Sequence, residues 1–239
     1  MKSVLLILLL IFPAIIRAQE KTIHHQEQFW WSINTESRVT DKFGIIADFH
    51  LRRTDFLANT NFYFLRGAGS WRLSDQWSVA LGYSHMWISK DVEASAIFQH
   101  ENRIYQQLSW RQKTGRFSLF QRFQNEQRWQ RILDGEGQYD RTRFTNRFRS
   151  LTSVTFQVFN NSNLPRLVVS DEIILHAGEE VIYNTFDQNR FFAGIKVPVS
   201  NDLSFDLGYM MVFQQAYSGT DYFLNNTLRW FFFYTPDFR

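Results

Sequence analysis

The chain has 239 residues, a formal net charge of +3, no cysteine, and aromatic residues at 18% of positions against 21% charged. The missing cysteines exclude disulfides, thiolate catalysis and thiolate metal ligands together, so stability must come from burial or from a membrane. The basic residues are dispersed, which argues against a nucleic-acid partner, and no linker-like stretch or composition shift marks a second domain.

Lys2, the apolar run from Val4 to Ile16, and Arg17-Ala18-Gln19 read as an export signal cleaved after Ala18. About 13 apolar residues are too few for a helix that needs roughly 20 to cross hydrocarbon. The expected organisation is a signal peptide over 1–18 and a single barrel domain over 19–239.

Beyond residue 19 no apolar run of helical length recurs, and period-two alternation takes over. Phe43, Ile45, Ala47, Phe49 and Leu51 fall on one face, with Gly44, Asp48, His50 and Arg52 on the other. Trp77, Val79, Leu81 and Tyr83 oppose Ser78, Ala80, Gly82 and Ser84. Ile104, Leu108 and Trp110 oppose Glu101, Arg103, Gln107 and Ser109. Phe144, Phe148, Thr152, Val154 and Phe156 oppose Arg141, Arg143, Arg147 and Arg149. Phe191, Ala193, Ile195 and Val197 oppose Gln188, Arg190, Gly194 and Lys196, and Leu203, Phe205, Leu207, Tyr209 and Met211 oppose Ser204, Asp206 and Gly208.

Strands are predicted over 27–37, 43–53, 60–73, 77–89, 97–112, 116–131, 140–158, 165–177, 187–199, 202–216 and 221–234. Short turns at 40–42, 74–76, 113–115 and 200–202 exchange with longer loops at 54–59, 90–96, 132–139 and 178–186, the asymmetry of outer-membrane barrels. The fold class is therefore all-β: an antiparallel transmembrane barrel of about 10–12 strands with short periplasmic turns and longer outer loops. Eleven segments are an odd count where bacterial barrels are even. Either residues 19–26 thread upward within the barrel, a short strand lies near the start, or a segment has been split or missed.

In such a barrel the apolar face meets lipid and the polar face lines the lumen, because arginine facing lipid costs about 2–4 kcal/mol near the midplane. The lumen should then hold a charge network of Glu101, Arg103, Arg122, Glu126, Arg128, Arg143, Arg147, Arg149, Glu172, Arg190 and Asp206. Trp30, Trp31, Trp71, Trp77, Trp87, Trp110, Trp129 and Trp230 are expected toward strand ends as aromatic girdles.

Asn125-Glu126-Gln127-Arg128, Arg143 to Arg149, Asp171-Glu172-Ile173, Asp187-Gln188-Asn189-Arg190 with Ala193-Gly194, Leu207-Gly208-Tyr209 and Asn225-Asn226 follow one another in an order that resembles the domain-of-unknown-function family numbered 2490. The resemblance covers nearly the whole chain after the signal. It implies an outer-membrane barrel of a kind found in Bacteroidetes and some Proteobacteria, and it carries no established activity. Asn226 stands where the family pattern would lead one to expect histidine.

Lipid-acting barrel enzymes use Ser-His with Asn or Glu on the outer wall. Ser84 and His85 are neighbours on one strand and point to opposite faces, so a dyad would need a partner such as His100 or His176. His24-His25, the one adjacent histidine pair, could meet a cation, but it precedes the first predicted strand, where such residues are expected to be solvated. No catalytic, cofactor-binding or metal residues are expected, and no cofactor. The lumen charges read as the filling of a small barrel or as the lining of a narrow pore for small polar solutes, with anions favoured where arginine exceeds carboxylate. The alternatives are a barrel enzyme acting on outer-membrane lipid and a soluble periplasmic lipocalin-like carrier. The expected location is the outer membrane of a Gram-negative bacterium, with membrane lipid and the barrel-assembly machinery as partners. The final strand is rich in aromatics, although Arg239 follows the terminal Phe238.

Overall fold

A computed structural model describes residues 21–92 and 95–239; the expected signal peptide lies outside the described residues. Eleven strands close into one barrel: β1 (Thr22–Arg38), β2 (Phe43–Thr54), β3 (Asn59–Arg72), β4 (Trp77–Val92), β5 (Ser95–Thr114), β6 (Phe117–Leu133), β7 (Tyr139–Phe156), β8 (Arg166–Ala177), β9 (Phe186–Pro198), β10 (Leu203–Gln215) and β11 (Asp221–Tyr234). Each pairs antiparallel with its sequence neighbour, except at the closure. There β1 and β11 run parallel from Thr22↔Asp221 to Thr35↔Tyr234.

The parallel seam resolves the odd count. When an odd number of up-and-down strands closes, the first and last run the same way and must pair parallel. Residues 22–26 neither thread upward nor form an extra strand, because they are the start of β1, paired with Asp221 to Asn225.

The connections at the lower end span 39–42, 73–76, 115–116, 157–165 and 199–202, of which 157–165 is the long one. Between β5 and β6 two residues suffice, and Gly115 supplies the positive φ of +57° that such a tight hairpin requires. At the upper end much of the sequence expected as loop continues the strands. β5 is 20 residues long and β7 is 18, against 12 for β8, so the β4–β7 wall stands taller than its neighbour. Extending the ladder gives each added peptide group a partner that a loop would lack.

The alternation read from the sequence is the inside–outside alternation of the wall. Along β8 every second residue from Val168 to His176 is buried and every intervening one is exposed. Leu65, Leu81, Ile104, Phe123, Phe148 and Phe191 face outward and exposed, while Ser84, Glu101, Arg103, Glu126 and Arg147 are buried inside. A soluble carrier would have the reverse arrangement.

Trp71 and Trp77 are exposed near the lower end, and Trp77 packs at a tilt against Trp110, ring centroids 6.2 Å apart. Trp30 departs from the expected girdle. It points into the lumen, 3% exposed, in a cluster with Val168, Phe192, Met210 and Val212. Its neighbour Trp31 takes the outward position, against Phe49 and Phe232. Gly194 faces Gly208 across β9 and β10, and a Cβ on either would run into the other strand's backbone; Phe192 fills the space above them.

Candidate functional site

The lumen has two unlike sides. The apolar cluster around Trp30 and Phe192 spans β1 and β8–β11, and the densest charge lies on β5–β9, the two meeting on β8 and β9. Each buried carboxylate on the charged side gathers several cations. Glu101 accepts from Arg103 Nε at 2.5 Å, from Arg128 Nε at 2.6 Å and from Gln130. Glu126 accepts from Arg147 Nε at 2.7 Å and Arg149 Nη1 at 2.8 Å, with Arg103 Nη1 at 3.4 Å. Glu172 accepts from Arg122 at 2.7 Å, Arg149 at 2.8 Å and Arg190 at 3.1 Å. Arg149 therefore bridges Glu126 to Glu172, and the groups form one lattice across the strands.

The remaining predicted residues stand at its margins. Arg143 donates to Gln130 Oε1 at 2.6 Å and lies over the Tyr217 ring. Asp206 pairs with Lys196 at 2.7 Å and Arg229 at 3.4 Å near the lower end. All eleven predicted network residues thus face the lumen. Arg141, assigned to the same face of β7, instead lies exposed at the upper end beside Glu180.

Several lumen groups fell outside the predicted set. Asp187 pairs with Arg147 at 3.3 Å and His176 at 3.2 Å. Strict alternation would turn Asp187 outward, because Gln188 is buried beside it. A register shift opposite Ile174 and Leu175 makes Asp187 the extra residue of a bulge and brings both inside. Asp48, on a face that alternation already marked as polar, pairs with Arg66 of β3, a strand whose faces were not assigned from the sequence.

Arg52 is distinct. Its guanidinium lies 3.3 Å from the Trp30 ring centroid and 4.3 Å from that of Phe62. Among the described residues no carboxylate comes within ion-pair distance of it. Arg190 approaches the same indole at 5.2 Å, so two cations share one ring. Next to Arg52 on the lumen face, His50 packs between Phe64 and Phe231, with neither ring nitrogen hydrogen-bonded.

A cavity of about 1520 Å³ runs through the lumen, lined by both the apolar cluster and the charged groups. Its lining reaches from Asp134 and Tyr217 at the upper end to Lys196 and Phe233 near the lower end. Thirteen lysines and arginines line it against six aspartates and glutamates, an excess of fixed positive charge along the passage.

A family model described as "Protein of unknown function (DUF2490)" matches residues 27–223, most of the barrel. The chain belongs to the DUF2490 family. Among solved structures it is similar to the NanC porin in a rhombohedral crystal form, with 16% identity over 82% of this chain and 92% of that one, and a TM-score of 0.51. At that identity the likeness shows the fold alone. No curated protein matches.

The DUF2490 barrel does not bring the candidate catalytic pair together. Ser84 is buried on the lumen side, and His85 is on the outer wall with Asn102 at 2.7 Å and His100 at 3.0 Å. His176 is buried inside against Arg128. His24 pairs with Asp221 at the upper end, within β1 rather than ahead of it. Among the described residues no group of three or more His, Cys, Asp or Glu side chains is placed to hold a metal ion.

Proposed function

We propose that this DUF2490 barrel is exported by its N-terminal signal, inserted into the outer membrane by the barrel-assembly machinery, and passes small anions through its lumen. The observation that carries the proposal is the cavity reaching toward both ends with basic side chains in twofold excess on its lining. Fixed positive charge in a narrow, low-dielectric passage lowers the entry barrier for anions and raises it for cations. The outward apolar faces suit hydrocarbon, and the porin-like fold supports the same setting.

The ionic lattice holds the passage open but narrow. Its carboxylates fix arginines that would otherwise repel one another, and Arg52, held by aromatic faces alone, keeps its charge free for a passing solute. The barrel acts as a conduit rather than an enzyme, since the histidine–asparagine pair on the outer wall has its nearest sequence serine on the opposite face.

Liposome swelling with the refolded protein tests the proposal. Small carboxylate-bearing solutes should enter faster than neutral solutes of equal size. Equal rates, or no swelling from a barrel shown to be inserted, would refute it.

A further inference from the structure

The outward wall is not uniform. Around β1, β2, β10 and β11 its middle carries large apolar side chains such as Trp31, Phe49, Leu207 and Leu228, with a single amide, Asn226, tied to the Tyr209 hydroxyl at 2.5 Å. Across β5–β9 the corresponding positions carry amides and a carboxylate. Gln106 Nε2 donates to Gln127 Oε1 at 3.0 Å, and Gln106 Oε1 accepts from Asn125 and Gln127 at 3.2 Å. Asp171, the sixth residue from the lower end of β8, is exposed and accepts from Asn189 at 2.8 Å. Hydrocarbon offers such groups no further hydrogen bond. On β3, between the two sectors, Gly67 faces open space, where a side chain would meet nothing and no positive φ demands glycine. A bare position of this kind lets another surface approach closely.

We propose that this wall, centred on the β5–β6 seam, packs against a second copy of the chain. The proposal rests on the membrane location given above and not on the anion path. A two-fold axis parallel to the barrel keeps both copies in one membrane orientation, and residues beside the axis meet their own counterparts. A neutral amide both donates and accepts, so Gln106, Asn125 and Gln127 can pair with themselves. A carboxylate or a guanidinium there would face its own charge.

Asp171 lies two strands from the seam. The same axis turns it toward the β3–β4 side of the other copy, where Tyr83 is the seventh residue from the lower end of β4 and His85 stands two further along. Both are already engaged within their own chain, Tyr83 donating to Asn102 Oδ1 at 2.6 Å and His85 bonded to Asn102 and His100, so they place a polar strip opposite Asp171 at a matching height rather than a free donor. The wall is also hollowed, by a groove of about 980 Å³ whose lining includes Trp71, Leu81, Leu108 and Ile173. Contact can then extend beyond the single line along which two convex cylinders would touch.

The cysteine-free chain makes the test direct. Ile104→Cys at the seam and Leu228→Cys on the opposite wall are compared in native vesicles under mild oxidation, each first shown to keep heat-modifiable gel mobility. Ile104→Cys should convert to a disulfide-linked species of twice the mass, and Leu228→Cys should stay monomeric. Gln106→Leu, Asn125→Leu and Gln127→Leu combined should keep that mobility but run at monomer mass by light scattering in mild detergent, where the wild type runs as a dimer. A monomeric wild type, equal cross-linking at the two positions, or linkage of Ile104→Cys to a different protein would overturn the proposal. A wild-type chain without heat-modifiable mobility would instead remove the membrane location beneath it.

Discussion

Replacing Glu172 by Gln removes one negative charge from a point where three guanidiniums converge within 3.1 Å, at nearly unchanged side-chain volume. The carboxylate side chain is only 6% exposed, and its partners are 10–15% exposed. Breaking a buried ion pair from one side costs about 3–5 kcal/mol, because the remaining charges stay buried without compensation. Arg149 keeps Glu126, but Arg122 and Arg190 lose their only carboxylate among the described residues. Cavity water relieves part of this, which places the expected loss near the lower limit, about 3 kcal/mol. For a chain of this size that corresponds to a fall in Tm of roughly 6–12 °C. The assay is the temperature at which the folded, fast-migrating gel band disappears. The double variant Glu172→Gln with Arg122→Gln should recover part of the loss, since one uncompensated charge is removed with the other. A single-variant shift under about 2 °C would refute the reasoning and mean that lumen water, not the lattice, carries these charges.

Arg52→Gln should leave unfolding temperature nearly unchanged, because no carboxylate is stranded, yet lower the anion-to-cation permeability ratio in bilayer recordings. Trp30→Ala removes the indole that both Arg52 and Arg190 approach; it should cost about 3–5 kcal/mol in urea unfolding and raise single-channel conductance. Phe123→Arg, on the outward face, should cost about 2–4 kcal/mol or block insertion, whereas Gln107→Arg, on the lumen face of β5, should still yield the heat-modifiable band. At the C-terminus, hydrogen bonds from Arg239 hold the exposed Asp237 carboxyl down to about 2. Because this value is depressed on folding, the tie is complete above the ordinary aspartate range and is lost as pH falls toward about 2. Amide exchange at Phe238, which donates to Arg38 O, should therefore keep its protection from pH 7 to 5 and lose it near pH 2.

Alternation made the strands and their faces legible, since a residue's parity within a strand decides lipid or lumen wherever the ladder is regular. It placed all eleven predicted charges inside. It failed where the ladder is irregular, as at Asp187, and where a large aromatic sits at an inward position, as at Trp30. Parity says nothing about which strands meet at closure, so eleven segments looked like a miscount until β1 and β11 were found to run parallel. Pairing within the lumen was equally hidden. Arg122 and Glu172 lie fifty residues apart, on strands separated by β7, and meet only because the barrel curves. That Arg52 has no carboxylate beside it among the described residues could not be read from the sequence, because it depends on which carboxylates the other walls bring near.

Reversal potential under a salt gradient, measured on the refolded protein in a planar bilayer, tests the lumen assignment most directly. An inserted, conducting barrel should give a potential whose sign shows anions carrying most of the current, and Arg52→Gln should move it toward zero. A cation-selective potential, or one that Arg52→Gln leaves in place, would contradict an anion path lined by these arginines.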